Sequence, residues 1–467
     1  METKNDMYKY KREYVWDCLN AGEREAAMAM GEDYKAFLNA GKTERMCASE
    51  VLRRAQEKGF VDVASKKSLK TGDKIYYNNR GKAVVLAVIG KEPVEKGMNI
   101  VGAHMDSPRL DIKQNPLYEA GGMALLKTHY YGGVKKYQWV ALPLALYGVI
   151  VKADGTKVNI AIGDEENDPV FYISDLLPHL AKDQMAKNMG EGVEGESLNI
   201  IVGAQPVDDK EASDRFKTAL LALLHDRYSI EEEDFLSAEL EAVPAGRARD
   251  VGFDRQLIAA HGHDDRVCSY AAMAGLFAAQ QLEKTAVGLF VDKEEVGSIG
   301  ATGMQSQFFC NLVGEMIALQ NGGACPDLAL RRVLAASTLL SADVAAAFDP
   351  TYPSVAEPLN CANLGQGITL VKYTGSRGKG GANDACAELV GKVRKVLKEN
   401  GVVYQTSELG KVDQGGGGTI AYIMANLDMD VLDAGVAMLS MHAPWELVSK
   451  ADVYMTAKAY RVFYEKY

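Results

Sequence analysis

The 467-residue sequence is short of cysteine, of long apolar runs and of positive charge. Its seven cysteines, at positions 18, 47, 268, 310, 325, 361 and 386, are odd in number, widely scattered and never spaced C-x-x-C. This pattern argues against a disulfide framework or a cysteine-built zinc knuckle and favours a reducing compartment. The first residues lack the apolar centre of a secretory signal. The longest apolar stretches, residues 83–89 and 140–151, fall short of the roughly 20 residues that a helical membrane span needs. A soluble cytoplasmic chain with no membrane partner is therefore expected. Lys and Arg number 52 against 63 Asp and Glu, a net charge of −11. No nucleic-acid partner is expected of such a chain, because polyanion binding calls for a basic face. Gly378-Lys379 lacks the earlier glycine of a phosphate-binding loop. No G-x-S-x-G serine occupies a strand-turn-helix setting.

What is present is a large globular composition, 47% hydrophobic and 25% charged. Its length suits two or three domains, or one α/β core carrying an insertion. Residues 7–59 show apolar positions three and four apart, among them Tyr34, Phe37, Leu38, Val51, Leu52 and Ala55, which is helical spacing. Short runs that are mostly apolar follow at 83–89, 99–103, 286–291 and 334–340, and such runs suit strands buried on both faces. Helical patterns at 267–282, 382–400 and 450–464 alternate with them. The expected fold is α/β, a mainly parallel sheet with helices on both faces. Residues 116–254 break the alternation with Gly-bounded strands at 144–151 and 159–162, an acidic turn at 164–168 and a Gly-rich polar stretch at 187–197. They are read as a β-rich domain inserted between 1–115 and 255–467. The run Gly415–Gly418 marks a close approach of backbone to a neighbour or ligand.

Chemistry-bearing residues stand at the ends of these runs. His104 follows the run 99–103, and in an open parallel sheet the carboxyl ends of strands face the ligand crevice. Asp106 is placed to accept the free ring N–H of His104 and so fix its tautomer. A strand-end histidine capped by its own loop is the alternative. Adjacent Asp264 and Asp265 repel each other and need a cation or solvent. They read either as a carboxylate bridging two metals or as a helix N-cap. Glu294 and Glu295 end the run 286–291, and at a strand terminus their side chains diverge. One would then bind metal while the other faces water as a general base, the alternative being an exposed acidic turn. Asp343 and His442 each follow an apolar run. Imidazole and carboxylate ligands without cysteine suit a catalytic Zn²⁺, Co²⁺ or Mn²⁺ site.

Residues 100–113 (IVGAHMDSPRLDIK), the pair Asp264-Asp265, residues 292–298 (DKEEVGS), residues 341–345 (SADVA) and residues 439–442 (LSMH) resemble, in order and spacing, the aspartyl aminopeptidase and yeast vacuolar aminopeptidase family. Residues 128–133 (THYYGG) and Thr419-Ile420 extend the likeness. The resemblance implies a metallo-aminopeptidase with two divalent ions per subunit, zinc before cobalt or manganese, acting on peptides. It implies Asp264 as the bridging carboxylate, with Asp265 as the alternative. His104 and Asp343 would complete one site, and Glu295 and His442 the other. Glu294 would be the general acid/base and Asp106 the partner of His104. Family members form homo-oligomers, tetrahedral dodecamers, in which a histidine of a neighbour's inserted domain completes the site. His179 is similar to that histidine. Lys372 matches a basic residue at the substrate pocket, and the inserted domain would serve dimerisation and substrate gating. Rival readings are another dinuclear-metal amidohydrolase, a deacylase or carboxypeptidase, and a catalytically silent assembly scaffold. The complete set of ligand residues favours the enzyme.

Overall fold

In the computed structural model, which describes residues 8–467, the strands Met98–His104 and Thr285–Val291 are buried at every position. The reason is that successive side chains enter opposite cores. Val101 and Ala103 face one hydrophobic cluster while Met98 and Ile100 face the other, and Ala286 and Phe290 oppose Val287, Leu289 and Val291 in the same way. Helices Ala21–Ala40, Glu44–Glu57, His263–Ala278, Ala387–Glu399 and Lys450–Lys466 cover the first face. Helices Phe308–Gln320, Asp327–Ala335 and Ala421–Ala425 cover the second. The first long helix starts at a capping box, where Asn20 accepts the N–H of Glu23 and Glu23 accepts that of Asn20.

The sheet has nine strands, in the order Val61–Asp62, Lys74–Asn79, Ala83–Val88, Thr285–Val291, Met98–His104, Thr338–Ser341, Asp430–Gly435, Ile368–Val371 and Tyr404–Thr406. Five of its eight neighbour pairings are parallel, including the three at the centre, so the mainly parallel α/β expectation holds. The run 334–340 is not one strand. Leu334 belongs to the helix ending at Ala335, and the strand begins at Thr338. Leu334 in the last turn of the helix and Leu339 and Leu340 in the strand are buried with alanines between them, which made a single apolar run in sequence.

A second sheet of seven strands runs from Arg109–Ala120 to Ala238–Pro244. Ala238–Pro244 pairs with both Arg109–Ala120 and Pro143–Val151, which closes six of the strands into a barrel around Leu110, Leu126, Trp139, Leu144 and Leu240. Its first strand starts ahead of the expected division at 116. Residues 109–112 already pair with 128–131, and a register shift rather than a chain break accommodates Pro116. At the other end Arg249–Val251 pairs with Leu257–Ala260 in a separate five-stranded sheet, so the barrel ends before position 254. Among the described residues no helix is long and apolar enough to cross a membrane.

Candidate metal centre

Parallel pairing brings the carboxyl ends of the central strands level. His104 lies beside Val291, and Ser341 lies between Gly102 and Asp433. The residues just past these ends, Asp106, Glu294, Glu295 and Asp343, therefore converge above the sheet. Helix His263–Ala278 brings Asp264 and Asp265 to the same place on non-helical backbone, and His442 enters at φ +64°.

Asp264 sits between the two histidines. Its Oδ1 lies 3.2 Å from His104 Nε2 and its Oδ2 lies 3.2 Å from His442 Nε2. Glu295 Oε2 is 3.5 Å from His442 Nε2, and Glu294 Oε2 is 4.0 Å from His104 Nε2. The other ring nitrogens are held from outside. His104 Nδ1 is 3.0 Å from the Asp106 carbonyl oxygen and His442 Nδ1 is 2.9 Å from that of Gly133. A carbonyl only accepts, so each Nδ1 donates outward; the Asp264 carboxylate then favours, against burial, a proton on each Nε2 of the protein alone, and a cation there would take that proton's place. The outward Nδ1 bond is the second contact by which metal-ligating histidines are normally oriented.

The inward atoms fit a cation. His104 Nε2, Asp264 Oδ1, Asp265 Oδ1 and Glu295 Oε1 are buried without a hydrogen-bond partner, and burying such atoms unpaired is costly. Ligand atoms of His104, Asp264 and Glu295 lie within 4.8 Å of one another, as do those of His104, Asp265 and Asp343. Carboxyls outnumber imidazoles, and without a cation burial and mutual repulsion oppose their ionisation. Burial, then Asp264 and Asp106, pushes Glu294 up to about 7, while burial and neighbouring carboxylates hold Glu295 and Asp343 well above the usual range. Burial opposes ionisation of Asp264 too, but His104 and His442 keep it below the ordinary value. Divalent charge would match this surplus of acid. A cavity of about 470 Å³ opens over Asp264, Glu294, Glu295, Asp343 and His442.

A family model described as "Aminopeptidase I zinc metalloprotease (M18)" matches residues 37–464. A probable M18 family aminopeptidase 1 of Clostridium acetobutylicum is 52% identical over 464 residues, 98% of this chain and 99% of that protein. The crystal structure of an M18 family aminopeptidase from Thermotoga maritima superposes with a TM-score of 0.95 at 45% identity, covering 98% and 100% of the two chains. The Saccharomyces mApe1 dodecamer, at 22% identity, has a TM-score of 0.73 over 93% of this chain and 96% of its own. The chain belongs to the M18 aminopeptidase family. It is a hydrolase of a zinc metalloprotease family.

In this M18 chain the structure brings His104, Asp106, Asp264, Glu294, Glu295, Asp343 and His442 together from five separate segments of the chain. Asp265 lies behind Asp264. Its Oδ2 accepts the backbone N–H of His104 at 3.4 Å, and burial keeps its own carboxyl well above the usual range. His179 is exposed and does not line the cavity. Lys372 is also outside it, close-paired with Asp384, although Val371 and Thr374 line the wall. The glycine run is part of that wall. Gly416 has φ +137°, and a Cβ on it would stand 2.4 Å from the Gly375 carbonyl oxygen.

Two residues of this cluster and its cavity carried no sequence signal. Buried Glu446 accepts the backbone N–H of Asp264 through Oε2 and that of His442 through Oε1. Buried Asp433 accepts the Thr419 hydroxyl at 2.7 Å on the cavity wall. Thr419 was visible through the family likeness, but nothing pointed to its partner.

Proposed function

We propose that this chain removes N-terminal residues from peptides at a centre of two divalent ions, both zinc. Asp264 would be the carboxylate shared by the ions, with His104 and Asp343 holding one and Glu295 and His442 the other. The observation that carries this reading is the Asp264 carboxylate, whose two oxygens each lie 3.2 Å from a different imidazole Nε2. When bound, the ions make water a stronger nucleophile, polarise the scissile carbonyl and hold the free α-amino group.

Glu294 lines the cavity with its Oε2 4.0 Å from His104 Nε2, beside the ligand set, where a carboxylate can take a proton from water and return it. It accepts a proton as the water oxygen bonds to the carbonyl carbon. It then delivers that proton to the nitrogen as the C–N bond breaks. Asp106 holds this machinery in register, since its two oxygens accept the backbone N–H groups of Glu294 and Glu295 at 3.2 Å each.

We propose further a cytoplasmic homo-oligomer, a dodecamer like the Saccharomyces one, with the inserted barrel serving dimerisation and substrate gating. Val170, Tyr172, Leu176, Leu177 and Leu180 are exposed around His179 in this single chain, which supports a contact there with a second copy and a role for His179 in the neighbour's site.

The test combines elemental analysis with a panel of aminoacyl anilides and N-acyl amino acids on the same sample. Two zinc ions per chain and cleavage confined to free α-amines are expected. One ion per chain, or cleavage of blocked substrates, would refute the reading.

A further inference from the structure

The inserted barrel touches the metal centre at two points. Tyr131, the last residue of the strand Met123–Tyr131, donates its hydroxyl to Asp106 Oδ2 at 2.8 Å. Asp106 is fully buried, and its Oδ1 is 3.3 Å from His104 Nδ1. Two residues after Tyr131, the Gly133 carbonyl accepts the Nδ1–H of His442 at 2.9 Å. Gly132 between them has φ +72°, and a Cβ there would approach Glu295 Oε2 to 3.2 Å.

Tyr131 is itself fixed. The Arg109 guanidinium lies 3.8 Å over its ring, and Arg109 pairs with Glu44 of the core and with Glu241 and Asp111 of the barrel. Burial and the Asp106 carboxylate raise the phenol pKa far above its ordinary value, so the hydroxyl remains a donor.

We propose that residues 131–133 of the inserted barrel are a structural part of the metal centre, orienting both imidazole ligands from outside. Tyr131 is a positioning residue acting through Asp106 on His104, and the Gly133 carbonyl acts directly on His442. The two histidines come from distant parts of the core, yet one three-residue segment of the barrel sets both. Ion retention is thereby coupled to the seating of the barrel on the core. This inference rests on the dinuclear reading above.

The test uses full-length protein loaded with zinc. Tyr131→Phe removes the hydroxyl and keeps the ring beneath Arg109. Gly133→Ala adds a methyl 3.1 Å from His442 Nδ1. Zinc retention is measured by competition with a chromogenic chelator, alongside kcat, KM and the melting temperature. Each variant is expected to hold zinc about tenfold more weakly, the range seen when outer partners of metal ligands are lost. In Tyr131→Phe, kcat should fall while KM stays within about twofold, because substrate binding is untouched. Wild-type zinc retention in folded Tyr131→Phe and Gly133→Ala would overturn the inference. Glu294→Gln, run in parallel, separates the two ideas. If it keeps turnover the acid/base role falls, while chelator competition on the other two variants still decides the role of the barrel segment.

Discussion

Glu446 Oε2 accepts the backbone N–H of Asp264 at 3.1 Å, and its other oxygen accepts that of His442 at 2.7 Å. One buried carboxylate thus fixes two ligand-bearing loops that are far apart in the chain. In Glu446→Gln one oxygen becomes an NH₂ group facing an N–H, so a donor meets a donor. The expected result is a folded protein whose zinc affinity falls about 10- to 100-fold, read by chelator competition. Wild-type affinity would show that the loops hold themselves.

The two adjacent aspartates are expected to behave differently. Asp264 faces both imidazoles, whereas Asp265 turns to the His104 backbone behind it. Elemental analysis of Asp264→Asn should show zinc loss from both positions. Asp265→Asn should retain more of the metal. The reverse order would move the bridge to Asp265.

Glu294→Gln keeps the shape and the Asp106 contact of the backbone but cannot take a proton. Zinc content should match wild type while kcat drops on the order of 10²–10⁴-fold, the usual contribution of a general acid/base. Stopped-flow or anilide turnover on a zinc-quantified sample checks it.

These site residues were readable from the sequence because of how the sheet is buried. Strands covered on both faces appear as apolar runs, so the polar residue that ends each run stands out, as His104, Glu294 and Asp343 do. Glu446 lay hidden for the opposite reason. It opens the short strand Glu446–Ser449 as an ordinary polar residue, and its partners are backbone groups that no side-chain pattern reveals. Tyr131 was visible within the THYYGG likeness, yet its role depends on barrel closure and on Arg109. The barrel's edges were obscured because Arg109–Ala120 mixes buried, half-buried and exposed positions without a clean alternation and contains Pro116. The joint of helix and strand near 335 was invisible since both sides of it are apolar.

Stability should show an acid limb tied to Asp250. Burial opposes its ionisation, but Lys35, Lys450 and Arg255 hold the carboxyl below its ordinary range. A folded pKa below the unfolded value of about 3.9 gives stability that is present above that value. It is lost as pH falls through the depressed folded value. In Asp250→Asn, denaturant unfolding at pH 7 should show a loss of about 1–2 kcal/mol, because buried Lys450 loses this partner while keeping Glu32 at 3.1 Å. The variant's unfolding free energy should also change less below about pH 4 than that of wild type. Parallel acid limbs in the two proteins would remove Asp250 from the account.

The cavity wall sets the last expectation. Val344, Val371, Leu409 and Met441 line it, and none of the lining residues is Lys or Arg. Lys372 is committed to Asp384 outside. An acidic first residue would bury its carboxylate against apolar atoms and beside Glu408, with no cationic side chain to pair it. A leucyl anilide should therefore be cleaved with kcat/KM at least about tenfold above the aspartyl anilide, a ratio within reach of one apolar pocket. Lys372→Ala should leave the leucyl value within about twofold, since an exposed ion pair contributes little to the pocket. If the aspartyl substrate is preferred and Lys372→Ala abolishes that preference, then Lys372 leaves Asp384 on substrate binding and the apolar wall does not govern selection.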